Sequence, residues 1–146
     1  MKPIHILLVE DNEGDILLTK EAFESGKIIN TLSVVKDGKE AIDFLTKKGK
    51  YATTTLPDLL LLDINLPKKN GHEVLQFIKA DVNLKQIPVI MLTTSSAEAD
   101  IITAYQHYAN CYITKPVEME TFLDIISKIE TFWISIVTLP SQIETR

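Results

Sequence analysis

The stretch PDLLLLDINLP, residues 57–67, decides the fold. Four leucines, Leu59 to Leu62, run straight into one carboxylate, Asp63, before the chain turns at Asn65 and Pro67. A short apolar run without alternation, bounded by turn residues, reads as a strand buried on both faces of a parallel sheet. In open α/β sheets, ligands bind beyond the carboxyl ends of the strands, which is where Asp63 stands. Taken alone, Asp63 is as readily a turn-capping acid as a reactive one.

Working outward, Ile4 to Val9 reads as a first buried strand ending at Glu10 and Asp11. An amphipathic helix follows, with Asp15 as its cap and Gly26 as its stop. Thr31 to Val35 alternates and is β-branched, a second strand. Asp37-Gly38 turns into a helix over Lys39 to Lys48, and a polar loop over residues 50–57 leads to the leucine strand. Beyond it, KKNG opens a helix with Val74, Phe77 and Ile78 on one stripe. Pro88 opens a fourth strand, VIMLTT. Ala97 to Tyr108 forms a helix with Ile101, Tyr105 and Tyr108 on one side. Cys111 to Thr114 is a fifth strand, and a last helix starts near Val117. Five strand–helix alternations with right-handed crossovers make a doubly wound α/β domain, a five-stranded parallel sheet with helices on both faces.

The bulk properties restrict function. A chain of 146 residues suits one domain with one core. A net charge of −5 argues against a nucleic-acid partner, which needs a basic face. A single cysteine, Cys111, forbids an intrachain disulfide and fits a reducing compartment. The apolar run at the N-terminus is too short and too soon acidic for a signal peptide, and no stretch approaches the roughly 20 residues of a membrane span. The expectation is a soluble cytoplasmic protein without a membrane partner.

Polar residues follow four of the five strands: Glu10-Asp11, Asp63, Thr93-Thr94 and Lys115. In a parallel sheet these ends share one edge, so three carboxylates, a hydroxyl and an ammonium are expected to converge. Oxygen donors without His or Cys suit a hard divalent ion, and Mg²⁺ favours one or two carboxylates with waters and a phosphate. Such a cleft is equipped for phosphoryl transfer, with Asp63 as the nucleophile. Bland readings stand beside each residue: a solvated loop for Glu10 and Asp11, a β-branched strand end for Thr93, a surface lysine for Lys115. All four would have to coincide at one edge.

LLVEDNEGD, LLLLDINLPKKNG, VIMLTTS and CYITKP together resemble the receiver domain of two-component response regulators. The resemblance runs from about Lys2 to Glu130. It implies a flavodoxin-like sheet of order 2-1-3-4-5 and a receiver over residues 1–130, followed by an extension over 131–146. It implies that Asp63 accepts a phosphoryl group from a sensor histidine kinase. Asp11 then resembles the direct Mg²⁺ ligand, Glu10 the one acting through water, and the Asn65 backbone carbonyl completes the shell with Asp63. Thr93 is similar to the hydroxyl that bonds the phosphoryl group, Lys115 to its cationic partner, and Tyr112 to the aromatic switch. Thr94 stands where many members have Ala, and Asn65 and Ser95 lie where the family tunes dephosphorylation.

The tail, IETFWISIVTLP, together with LPKKNGHEVL, resembles the small stand-alone receivers that pair with phytochrome kinases. The stripe of the last helix continues through Phe132, Trp133 and Ile136, more apolar surface than a receiver core needs, which suggests a homodimer. With 16 residues after Glu130, output is expected through protein contacts or onward phosphorelay. The expected protein is a switch supporting its own phosphorylation and dephosphorylation. The alternatives are a Mg²⁺-dependent phosphatase with an aspartyl-phosphate intermediate and a receiver-like module that is never phosphorylated. Such phosphatases carry a second aspartate two residues after the nucleophile, where this chain has Asn65.

Overall fold

The computed structural model describes residues 3–25, 29–93 and 97–114, together with Asp124 and Lys128. Its elements run β1 (Ile4–Val9), α1 (Glu13–Glu24), β2 (Asn30–Val35), α2 (Gly38–Leu45), β3 (Leu59–Leu62), α3 (Gly71–Ala80), β4 (Val89–Thr93), α4 (Glu98–Gln106) and β5 (Cys111–Thr114), with a 3₁₀ turn at Gly49–Tyr51. The sheet has the order β2-β1-β3-β4-β5, and every pairing is parallel. The fold is therefore the doubly wound α/β architecture expected from the strand–helix alternation.

The leucine run explains why β3 is central. All four residues are fully buried, and the pleat sends them alternately to two cores. Leu60 and Leu62 join Ala41, Phe44, Val74 and Ile78 of α2 and α3. Leu59 and Leu61 join Ile16 and Phe23 of α1. Truncating any one of them to Ala leaves a cavity costing about 2–5 kcal/mol.

Local signals set the helix ends, with some differences from the sequence reading. The cap of α1 is Asn12, whose Oδ1 accepts from the amide of Asp15 at 3.0 Å, so Asp15 lies inside the first turn. Asp37 caps α2 by accepting from the Glu40 amide at 2.7 Å, so Gly38 is already helical. Asn70 and Glu73 form a reciprocal capping box on α3. In α3, Val74 and Ile78 are buried, whereas Phe77 is on the margin at 36% exposed. In α4 only Ala104 is buried among the described residues, and Tyr105 and Tyr108 face solvent. For the last helix, Asp124 and Lys128 are helical and pair across one turn at 3.0 Å, while its apolar stripe lies outside the described residues.

Tyr51, in the 3₁₀ turn, ties the long loop to α2. Its hydroxyl donates to Oε1 of Glu40 at 2.9 Å, and its ring packs on Phe44 with centroids 5.1 Å apart. The hydrogen bond from Tyr51 holds the Glu40 carboxyl below its ordinary value of 4.5. A depressed carboxyl contributes stability above its unfolded value and loses it as pH falls through the lower folded value. Tyr51→Phe is expected to lose about 0.5–1.5 kcal/mol at neutral pH. The deficit narrows in acid once Glu40 is protonated, as urea denaturation at neutral and acid pH will show.

Candidate functional site

The register of the sheet builds the site. In the β1–β3 pairing Val9 lies opposite Leu62, and the amide of Asp63 donates to the carbonyl of Val9 at 3.1 Å. The next residues on each strand, Glu10 and Asp63, are thereby neighbours at the carboxyl edge. Glu10 is itself tethered, its amide donating to Val35 O at 3.0 Å. Two hydrophobic strands in parallel register thus deliver two acids to one place.

Glu10, Asp11 and Asp63 present carboxylate oxygens that all lie within 4.8 Å of one another. Glu10 and Asp63 are buried, at 2% and 6% exposed, while Asp11 opens to solvent. Backbone amides orient the buried pair. Oε2 of Glu10 accepts from the amides of Asp11 and Asn12 at 3.1 and 3.2 Å, and Oδ1 of Asp63 accepts from that of Asn65 at 3.2 Å. Like charges this close repel strongly unless a cation joins them. A magnesium ion with ligands at about 2.1 Å places neighbouring oxygens about 3 Å apart and opposite ones about 4 Å apart. The oxygen-only donor set and its span therefore fit a hard divalent cation.

Thr93 ends β4, the strand beside β3, and is completely buried. Tyr112, in β5, is half-buried and packs against the core shared by α2, α3 and α4. Thr93 pairs with Thr114 in the β4–β5 register. Lys115 follows Thr114 and lies outside the described residues, as do Thr94 and Ser95, and the interface candidates Phe132, Trp133 and Ile136. Asn65 is exposed at the mouth of the cluster. Of the expected constellation, the structure brings together Glu10, Asp11, Asp63 and Asn65, with Thr93 on the adjoining strand.

Several supporting residues escape a reading by residue type. Gly71 follows the β3–α3 connection, and a Cβ there would overlap the carbonyl oxygen of Asp63 and lie 2.7 Å from Ile64 Cα. Its amide donates to Ile64 O at 2.8 Å. Gly38 lies equally close to Lys69, with its amide donating to Pro67 O at 3.3 Å. Lys68 adopts a positive φ of 67°, and its Nζ stands 3.6 Å from Oδ2 of Asp37. The connection carrying Asn65 is thus clamped between two glycines. The Asn70-x-x-Glu73 capping signature was the available sequence clue to where α3 begins. Tyr105 is a further such residue, its hydroxyl accepting from the Tyr112 amide at 3.1 Å.

Comparison with known proteins agrees with this geometry. A family model described as the response regulator receiver domain matches residues 6–127. Response regulator Rcp1 of Synechocystis sp. is 44% identical over 139 residues, 95% of this chain and 95% of that protein. The crystal structure of the phosphorylated cyanobacterial phytochrome response regulator RcpA superposes with a TM-score of 0.92 at 47% identity, covering 95% of this chain and 99% of that one. The Mn²⁺-bound form of Rcp1 superposes at 0.91 and 44% identity, covering 94% and 99%.

The glycine contacts lead to an ordered expectation. Gly71→Ala forces backbone apart beneath Asp63 and is expected to cost about 1–3 kcal/mol and to weaken Mg²⁺ binding. Gly49→Ala, where φ is +58° but no atom lies within 4 Å, carries only conformational strain and leaves Mg²⁺ binding intact. Denaturation and Mg²⁺ titration of the two variants separate the cases.

Proposed function

This chain belongs to the response regulator receiver domain family, and from that membership we propose that it is a single-domain phosphoacceptor switch serving a phytochrome-type sensor histidine kinase. The observation that carries the proposal is the convergence of Glu10, Asp11 and Asp63 at the carboxyl edge of the sheet. A carboxylate oxygen of Asp63 attacks the phosphorus of a phosphohistidine. The new P–O bond forms as the P–N bond breaks, and the electron pair leaves with the imidazole, which then takes up a proton. The product is an acyl phosphate.

Asp11 and Asp63, with the backbone carbonyl of Asn65, would hold Mg²⁺, and Glu10 would act through water. The bound ion supplies positive charge toward the phosphoryl oxygens. Buried Thr93 offers its hydroxyl to the phosphoryl group, Lys115 its ammonium, and Tyr112 follows the threonine as the switch. The added charge shifts a two-state equilibrium that partner proteins read. Loss of the phosphoryl group resets it, supported by the same cleft.

The receiver spans residues 1–130, and the extension over 131–146 contributes Phe132, Trp133 and Ile136 to a homodimer. The protein works in the cytoplasm, and among the described residues no helix is long and apolar enough to cross a membrane. Kinship with Rcp1 and RcpA supports the phytochrome-type partner. The phosphatase alternative is disfavoured by Asn65, which cannot serve as the second, general-acid aspartate. The passive-module alternative is disfavoured by the clustered acids, whose repulsion a mere scaffold would not retain.

Acetyl phosphate with Mg²⁺ is expected to add one phosphoryl group, about 80 Da by intact mass, to the wild type and none to Asp63→Asn. Asp11→Asn is expected to raise the Mg²⁺ concentration needed by tenfold or more, on the order of one charged-ligand contact. Absence of the wild-type adduct would leave the passive module as the better account. In sedimentation the full chain is expected to be dimeric and a chain ending at Glu130 monomeric, whereas identical monomers would remove the dimer.

A further inference from the structure

One side-chain pair joins the acidic cleft to the fourth helix, and the phosphoryl chemistry does not use it. His72 is the second residue of α3, directly after Gly71, whose Cα lies against the backbone of Asp63 and Ile64. Nε2 of His72 lies 3.2 Å from Oδ1 of Asp100, in the first turn of α4. The imidazole is 18% exposed and the Asp100 side chain 35%. Among the described residues, Nδ1 of His72 is buried without a hydrogen-bond partner. In this contact Nε2 is the donor and the carboxylate oxygen of Asp100 the acceptor. The ring is then oriented by its bond to Asp100.

The need for such a tie follows from how weakly α4 is seated. Among the described residues Ala104 is its only buried side chain. Few buried contacts make an element one whose position is easily shifted. The bond to His72 holds the first turn of α4 to the start of α3. Further along α4, the Tyr105 hydroxyl accepts the amide of Tyr112 in β5. A continuous chain of contacts therefore runs from Asp63 through Gly71 and His72 to Asp100, along α4 to Tyr105, and on to Tyr112.

We propose that His72 and Asp100 are positioning residues that couple occupancy of the acidic cleft to the placement of α4. The proposal rests on Asp63 being the phosphoacceptor. When charge is added at Asp63, the β3–α3 connection adjusts. Gly71 sits too tightly on that backbone to absorb the movement, and His72 transmits it to Asp100. The pair has no contact with the phosphoryl group, so its effect is on the equilibrium between two arrangements.

Beryllofluoride, a phosphoryl mimic that binds an aspartate carboxylate, tests both levels. It is titrated with Mg²⁺ into the full chain as wild type, His72→Ala, Asp100→Ala, the double variant and His72→Gln. Wild type is expected to bind. Each alanine variant should shift the apparent Kd about threefold or more, in the same direction, and the double variant no further than either alone. His72→Gln, whose amide N–H₂ reaches toward the position of Nε2, should return the Kd toward wild type. Thermal melts of each chain with and without beryllofluoride distinguish coupling from structural support. A pair that only stabilises the fold lowers both melts equally and leaves the Kd unchanged, and that result overturns the proposal. Shifts that add in the double variant overturn it as well. Failure of the wild type to bind beryllofluoride overturns the phosphoacceptor reading itself, and the coupling with it.

Discussion

Three carboxylates held within 4.8 Å of one another are the constraint on which the rest of this structure depends. Left to themselves they would separate, since like charges repel at this range. What holds them is apolar packing elsewhere. Leu59 to Leu62 are completely buried between two cores, and Val9 is fully buried at the end of β1. Each such side chain contributes about 1.5–3 kcal/mol by leaving water. The hydrophobic sheet brings the acids together, and a hard divalent cation joining them would offset their repulsion. Affinity for the ligand and cohesion of the core are thus two ends of the same strands.

The connection after β3 shows how such a site is kept in register. Asp63 is buried, and its Oδ1 accepts the amide of Asn65 at 3.2 Å, which fixes the start of this segment. Three residues beyond Asn65 the same connection carries a lysine at positive φ, Lys68, which the fold tolerates at about 1–3 kcal/mol. Gly38 and Gly71 approach this segment from two sides, more closely than any side chain allows. Asp37 both caps α2 and faces Lys68, so one acid serves the helix and the loop together. Close packing beneath Asp63 contrasts with α4, in which Ala104 is the only buried side chain among the described residues. Receivers are signalling switches, and a tightly packed site beside an element with few buried side chains suits that role.

Much of the fold and part of the site are legible in the sequence, for reasons that can be traced to particular residues. Hydrophobic period distinguishes the buried leucine run from the amphipathic helices, and the polar residues after four of the five strands mark the edge where chemistry collects. Glu10, Asp11 and Asp63 are found this way because parallel strands must place their carboxyl ends together. Periodicity also puts Ile101, Tyr105 and Tyr108 on one side of their helix, and Tyr105 and Tyr108 are 49% and 75% exposed. Spacing gives a face its apolar character but not the neighbour that covers it.

By itself the sequence determined the order of elements, the acids at the strand ends and kinship with the receivers, because these follow from local periodicity and from residue type. Only the tertiary structure decided that β1 and β3 pair with Val9 opposite Leu62, which makes Glu10 and Asp63 neighbours although 53 positions separate them in the chain. It alone decided that Gly71 underlies Asp63, that His72 meets Asp100, and that the Tyr105 hydroxyl takes the Tyr112 amide. The physical reason is common to all of these. Each is a contact between side chains or backbone brought together by packing, and no local preference of either partner encodes the other.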